Sequence, residues 1–259
     1  MEAATGQLAK GMLVLRDLAY TLADAQLARG RTKERVLKGT AKRLRILQDQ
    51  TDGHLKNSPF EPSSIACRAG CNHCCHQATL MTFAEIVLMS EWISGQDAKT
   101  LDALKARVAA YVEGYAPFWE RKQVTGYRAL CPMNIDGSCI AYEHRPTNCR
   151  TFYSRDVEAC KAHYIQGQEI DIPGFFGPQH TGAALSRGEQ LALADHDLPG
   201  GMYDLSMTLK ILLDDPGLID RIMETGDGSA LLGADRSDPA EIAQDRKYHP
   251  LPVPAPKFS

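Results

Sequence analysis

All eight cysteines of this 259-residue chain fall in the 94 residues from Cys67 to Cys160. They form two groups. The first is Cys67-x3-Cys71-x2-Cys74-Cys75, and the second is Cys131-x7-Cys139-x9-Cys149-x10-Cys160. No other feature limits the fold as strongly, because sulfurs in such a pattern call for a common explanation. Isolated core cysteines, packed as small hydrophobes, do not arrive as C-x3-C-x2-C-C. A disulfide framework belongs to short secreted chains. Here the opening Met1-Glu2-Ala3-Ala4-Thr5-Gly6 carries an acid where a leader carries positive charge, and no long apolar run follows. No stretch approaches the ~18 apolar residues of a membrane span. The expectation is a cytoplasmic protein whose reduced thiols act as metal ligands or redox groups.

The short spacings carry a physical meaning. Two thiolates on one ion must converge to about 2.3 Å from it with roughly tetrahedral angles. Two intervening residues in a tight turn allow this for Cys71 and Cys74, and Gly70 gives the backbone room to turn. Adjacent Cys74 and Cys75 point in different directions, so one can serve a first centre while the other serves a second or packs in the core. The wide spacings of the second group require the fold to gather those residues. A hairpin carrying Cys131 and Cys139 and folding back over the first loop would do so.

Around the cysteines the pattern is helical. Leu8, Met12, Leu15, Leu18, Leu22 and Leu27 predict an amphipathic helix over 7–27, broken by Gly30. A basic helix follows over 33–50, then a break or linker at Asp52-Gly53 and 58–62. Thr82 and Glu85 have capping-box spacing, with Met81 and Ile86 as a hydrophobic staple, so a helix starts there and stops near Ser94-Gly95. Another runs over 100–122, kinked or ended by Pro117. Asp136-Gly137 between short alternating segments predicts a hairpin. Residues 172–178 read as a turn-rich loop, 202–214 and 218–224 as helices, Asp238-Pro239 as a helix start, and 250–256 as an extended proline-rich tail. The fold class expected is mainly α: a helical domain with a Cys-rich metal-binding loop and a small β-hairpin insertion. Its parts are an N-terminal helical hairpin (1–58), a cysteine-cluster metal-binding domain (59–165) and a C-terminal helical region with its tail (166–259).

Two longer stretches are recognisable. Cys67-Arg68-Ala69-Gly70-Cys71-Asn72-His73-Cys74-Cys75 resembles the signature of the YkgJ-like, or CxxxCxxCC, cysteine-cluster family. Residues 131–150 resemble its second signature: Cys131-Pro132, a turn with Gly137, Cys139-Ile140-Ala141-Tyr142, then Arg145-Pro146-Thr147-Asn148-Cys149-Arg150. The resemblance covers about residues 65–160. It implies a zinc- or iron-chelating domain in which Cys67, Cys71, Cys74, Cys75, Cys131, Cys139, Cys149 and Cys160 are all candidate ligands. A flagellin lysine methylase is similar in its cysteine cluster, which implies that one relative is tied to protein modification.

The residues leave the metal open. Structural zinc usually sits between two short Cys-x2-Cys knuckles, and only one is clear here. Iron–sulfur clusters accept wider spacing and often a proline beside a ligand, as in Cys131-Pro132, which favours an iron–sulfur cluster or iron slightly over zinc. The Cys67-x3-Cys71-x2-Cys74 spacing is also that of a radical-SAM loop, but the repeated βα pattern of that fold is missing. His73, His76, His144 and His163 are secondary ligand candidates, more often outer donors than ligands. Arg68, Arg145 and Arg150 can offset the charge of a tetrathiolate, and Tyr142 is expected to pack.

Three functions are consistent with this sequence. One is a metal-binding protein with one or two thiolate-ligated centres. Another is an iron-dependent or iron–sulfur enzyme modifying a protein side chain or small molecule, which needs an open coordination position and an adjoining pocket. The third is a zinc-stabilised module using the basic stretch 29–45 to meet nucleic acid or another acidic partner. That stretch holds eight basic residues against one acid, but it lacks the interleaved aromatics of a single-strand platform and reads more readily as a solvated helix face. No phosphate loop, nucleophile elbow or paired-carboxylate signature is present in the sequence.

Overall fold

The structure is a computed structural model describing residues 2–58, 64–68 and 70–238, with side chains from Lys10 onward. The chain is mainly helical, as its periodicity predicts. Helix α1 (Glu2–Leu27) and helix α2 (Lys33–Lys56) are joined by a short turn, and the Thr32 hydroxyl caps α2 by accepting from the Arg35 N–H. Helix α2 runs straight through Asp52-Gly53, where the sequence predicted a break. A single glycine costs a helix only about 1 kcal/mol, and α2 has a buried face, with Val36, Leu47 and Thr51 on it, to offset that cost. Of the predicted linker at 58–62, residues 59–62 lie outside the described residues.

Helix α3 (Phe83–Ser94) begins with the predicted capping box: the Glu85 N–H donates to Thr82 Oγ1 (3.3 Å), and the Thr82 N–H donates to Glu85 Oε2 (3.0 Å). Met81 and Ile86, the predicted staple, are both buried in one hydrophobic cluster. Helix α4 (Ala98–Glu120) contains Pro117 in its last turn rather than ending at it. Helices α5 (Thr147–Thr151) and α6 (Val157–Tyr164) carry Cys149 and Cys160, the last two cysteines of the second group.

The largest departure from the sequence reading is helix α7 (Phe176–Asp195), which occupies residues read in part as a loop and otherwise left unassigned. Its periodicity is illegible because it is buried on most sides, and a helix without a solvent stripe shows no amphipathic pattern. It packs along α1 and also meets α2 and α5. At Gly188 it approaches α1 so closely that an added Cβ would strike the Arg16 carbonyl oxygen and lie 2.8 Å from the Tyr20 nitrogen.

Two small antiparallel sheets complete the fold. Strand β1 (Leu80–Thr82) pairs with strand β4 (Met202–Asp204), with Met81 opposite Tyr203. The predicted helix over 202–214 is therefore corrected: its first three residues are β4, and helix α8 (Leu205–Asp214) starts after Asp204, whose carboxylate accepts from the Ser206 and Met207 N–H groups. Strands β2 (Asn134–Ile135) and β3 (Ser138–Cys139) form the predicted hairpin. Asp136 and Gly137 both have positive φ (51° and 84°), the conformation a two-residue type I′ turn requires. Helix α9 (Leu218–Thr225) is followed by a 3-10 helix, Ser229–Ala234.

The main hydrophobic cluster joins Leu27 and Val36 to α3, α4, α8 and α9, and Cys131 and Cys139 pack against its edge. No helix among the described residues is long and apolar enough to cross a membrane. The predicted helix start at Asp238-Pro239 runs past Asp238 into residues outside those described, and the tail at 250–256 lies wholly among them.

Candidate metal centre

The first cysteine group sits on two tight turns. The Cys71 N–H donates to the Arg68 carbonyl and the Cys75 N–H to the Asn72 carbonyl, both at 3.0 Å. The second turn is a 3-10 helix, His73–His76, which carries Cys74 and Cys75. The two neighbouring sulfurs stay in contact on this turn, the Cys74 thiol donating to Cys75 Sγ.

Cys75 faces the hairpin. The Cys131 N–H donates to the Cys75 carbonyl (2.8 Å), and Asn134 Nδ2 donates to Cys75 Sγ (3.6 Å). Asn134 lies directly opposite Cys139 in the β2–β3 register. The turn of this hairpin lies against the first loop, because a Cβ at Gly137 would be 3.5 Å from the Gly70 carbonyl oxygen. This is the folding-back that the spacing predicted. Cys149 arrives on α5, which Asn148 ties to β1 by donating to the Leu80 carbonyl (3.2 Å).

Cys67 faces the other way. The Ala66 N–H donates to the Ser154 carbonyl (2.8 Å), and the Ser154 N–H donates to Cys67 Sγ (3.2 Å). Just beyond Ser154, Asp156 caps α6 by accepting from the Ala159 N–H (3.0 Å), and α6 carries Cys160. Helix α6 packs against the His73–His76 turn.

The sulfurs are close enough to sense one another's charge. Burial, then the neighbouring Cys149, Cys75 and Cys139, push the Cys131 thiol well up. Cys149 stands at the surface, yet crowding by neighbouring atoms, with Cys75 and Cys139, raises its thiol to about 12. Burial and Cys75 raise Cys139. On the other side, burial with Cys67 and Cys71 raises Cys160, and burial raises Cys67 with Cys71 adding to it. Cys74 is raised by its hydrogen bond to Cys75, and both Cys67 and Cys149 add to the effect. Cys75 alone is lowered, because its sulfur accepts from Cys74 and Asn134 with Arg145 nearby, against the pull of burial. Arg145 also favours the thiolates of Cys139 and Cys149. It is thus the arginine of the predicted three that stands against the cysteines, and its guanidinium stacks on Tyr142 at 3.8 Å from the ring centroid. Arg150 instead donates to the Arg145 and Glu143 carbonyls.

All eight cysteines are free of disulfides. Among the described residues, no three His, Cys, Asp or Glu side chains stand close enough to grip an ion as they are. The sulfurs are neighbours rather than ligands at bonding distance, and a change of χ1 relocates a cysteine sulfur without moving the backbone. The donor set is that of a thiophilic ion or an iron–sulfur cluster. His73 Nδ1, on the turn beside Cys74, and His163 Nδ1, on α6, are buried without a hydrogen-bond partner. His76 is occupied differently, its Nδ1 lying 2.8 Å from the Arg128 carbonyl.

Compared with known proteins, the chain matches no family model, no curated protein and no solved structure.

The basic stretch 29–45 proves to be partly internal. Arg43 is 1% exposed and bonded to Glu85 (3.0 Å) and Glu189 (2.7 Å). Lys33 bridges Asp220 and Glu91, Arg31 donates to the Asp197 and Glu224 carbonyls, and Lys38 pairs with Glu34. Arg29, Lys42 and Arg45 stand exposed. Residue pattern gave no sign of Arg43's burial, because charge runs are normally solvated. Asn134 and Ser154 were also missed. Asn134 was within reach of inference, since the Asp136-Gly137 turn fixes its register with Cys139.

Proposed function

We propose that this chain is a metal-binding protein of the YkgJ-like cysteine-cluster type, holding zinc, iron or an iron–sulfur cluster on thiolates. The observation that carries the reading is the gathering of sulfurs distant in sequence. Cys131, Cys139 and Cys149 all lie near Cys75, while Cys160 lies near Cys67 and Cys71. These thiols, most of them partly buried, hold one another protonated in the chain alone. A cation among them would favour the thiolate form, in which the ligands bind it.

A bound ion or cluster supplies a positive centre that ties irregular segments together, and iron–sulfur chemistry adds the capacity to hold an electron. The chain's own residues orient the sulfurs. Asn134 donates to Cys75, the Ser154 N–H donates to Cys67, and Arg145 offsets part of the negative charge that four thiolates leave on a divalent ion.

Elemental analysis with an optical spectrum, on full-length protein purified without oxygen, tests the reading. Stoichiometric iron and sulfide with broad visible absorption identify an iron–sulfur cluster, and zinc in a colourless protein identifies zinc. Substoichiometric metal of every kind, in a folded and fully reduced protein, would overturn the proposal.

A further inference from the structure

Arg43, deep in the helical body, is answered by two carboxylates, Glu85 and Glu189. Two half-buried arginines beside the cysteine group are not answered in this way. We propose that Arg145 and Arg150 form a binding site for the oxyanion of a small molecule, a carboxylate or a phosphate, on the turn 142–145. This inference stands apart from the metal-binding reading and needs no ion at the thiols.

Both guanidinia are held on one short turn. A 3-10 helix, Tyr142–His144, ends at Arg145, whose guanidinium stands over the Tyr142 ring at 3.8 Å from its centroid. Arg150, on α5, reaches back to the same turn. Its Nε donates to the Arg145 carbonyl (2.8 Å) and its Nη2 to the Glu143 carbonyl. These partners are a ring face and two neutral carbonyls, so they fix the cations in place without neutralising them. Among the described residues neither guanidinium meets a carboxylate at ion-pair distance, and Arg145 Nε is buried with no hydrogen-bond partner. Glu143, the one acid on the turn, is exposed and its side chain bonds neither of them.

Two cations in this state select an oxyanion. A guanidinium presents its N–H groups as a planar fork that matches two oxygens of a carboxylate or phosphate, and such charge-assisted bonds are about twice as strong as neutral ones. A side chain that is already immobilised loses little further freedom on binding. Arg150 Nη1 and both Arg145 Nη atoms carry the donors left free among the described residues. Tyr142, 54% exposed, offers the rest of the ligand an aromatic surface beside the anion. The site borders the cysteine group, because Cys149 precedes Arg150 on α5 and is itself exposed. A ligand held here by its anionic end therefore lies next to a thiol.

The test uses the full-length reduced chain as purified, with the arginine Nε–H signals followed by NMR at constant ionic strength. Inorganic phosphate and acetate are the probes. The Arg145 and Arg150 signals should shift saturably with at least one of them, in the millimolar range. Arg145→Lys and Arg150→Lys keep the charge but lose the fork, so each should weaken binding by about tenfold. Arg29→Lys, at an exposed position far along the chain, should change nothing. Tighter binding of phosphate assigns a phosphoryl ligand, and tighter binding of acetate a carboxylate. If Arg150→Lys fails to fold by circular dichroism, Arg145→Lys reads the site instead, since it removes no side-chain hydrogen bond among the described residues. Drift without saturation for both probes, or an Arg145→Lys effect no larger than that of Arg29→Lys, overturns the proposal. A phosphoserine peptide bound by a chain that ignores free phosphate also overturns it, by giving the site to a protein partner. None of these outcomes bears on metal content, which elemental analysis reads separately.

Discussion

Helix α5 belongs to two polar assemblies at once, one buried in the helical body and one at the surface. Its first residue, Thr147, enters a network in the helical body; two residues on, Cys149 enters the cysteine group. In the network, Arg43 binds Glu85 and Glu189, and donates to Thr147 Oγ1 (2.8 Å) and Ser186 Oγ (3.3 Å). The Thr147 N–H donates to Glu85 Oε1 (2.8 Å), and Thr40 donates to Glu189 Oε1 (3.0 Å). Here opposite charges meet, so burial is answered within the chain. Burial alone would lower Arg43, but the two glutamates hold it above its ordinary value. Burial raises Glu189, with Arg43 acting against the shift. In the cysteine group like groups meet and keep one another protonated, while Arg145 favours the thiolates of Cys75, Cys139 and Cys149. The difference teaches how burial is answered: the body supplies its own counter-charges, and on the proposed reading the cysteine face takes its counter-charge from a bound ion.

The largest effect should come from removing the network's single cation. Arg43→Met leaves Glu85 and Glu189 buried without it, which costs about 3–5 kcal/mol. Urea unfolding measures this. Adding Glu85→Gln and Glu189→Gln to Arg43→Met should recover much of the loss, since the uncompensated charge is then gone. An Arg43→Met protein as stable as the parent would break the comparison, because the body would then not depend on its internal ion pairs.

Metal removal probes the other side. With metal at a hundredfold excess over its Kd, stripping it should lower stability by about 2.7 kcal/mol. The comparison sharpens if the loss is local. Amide exchange should quicken in 66–76, 131–140 and 147–160, while α1, α2 and the middle of α7 keep their protection. Uniform loss of protection would mean that the two regions unfold as one.

Gly188→Ala attacks the body alone. The added methyl meets the Arg16 carbonyl and the Tyr20 nitrogen on α1, both backbone atoms that cannot swing aside. Overpacking of this kind costs about 1–3 kcal/mol. Thermal unfolding should register the loss, with metal content per folded chain unchanged.

What the sequence made legible divides along the same line. The hairpin, the capping box and the grouping of cysteines follow from local rules: Asp-Gly turns, Thr-x-x-Glu spacing and short cysteine intervals. Helix α7 was illegible because Gly182, Gly188 and its small polar residues are shaped to neighbours distant in sequence. At Gly182 a Cβ would lie 2.7 Å from the Thr147 methyl of α5. Arg43 was misread for the same reason. Its partners Glu85, Thr147 and Glu189 are separated from it by 42 to 146 residues, and only Glu85 had a predicted role, as a cap. The pairing of β1 with β4 joins residues 80–82 to 202–204, and three-residue strands carry too little alternation to be recognised.

The smallest effect separates Glu85's two duties. Its Oε2 accepts from the Thr82 N–H in the capping box, while its Oε1 faces Arg43 and Thr147. Thr82→Ala removes the hydroxyl that caps the Glu85 N–H but leaves both carboxylate oxygens with their partners. The cost should therefore be that of an N-cap alone, about 1 kcal/mol, and Thr82→Ser should restore it. Thr147→Ala, by contrast, takes a hydroxyl from both Glu85 and Arg43 at the root of the helix that carries Cys149. If the two assemblies are joined through α5, Thr147→Ala should weaken cobalt(II) binding by the cysteine group, whereas Thr82→Ala should not. Equal effects of the two variants on cobalt affinity would show that α5 transmits nothing between them.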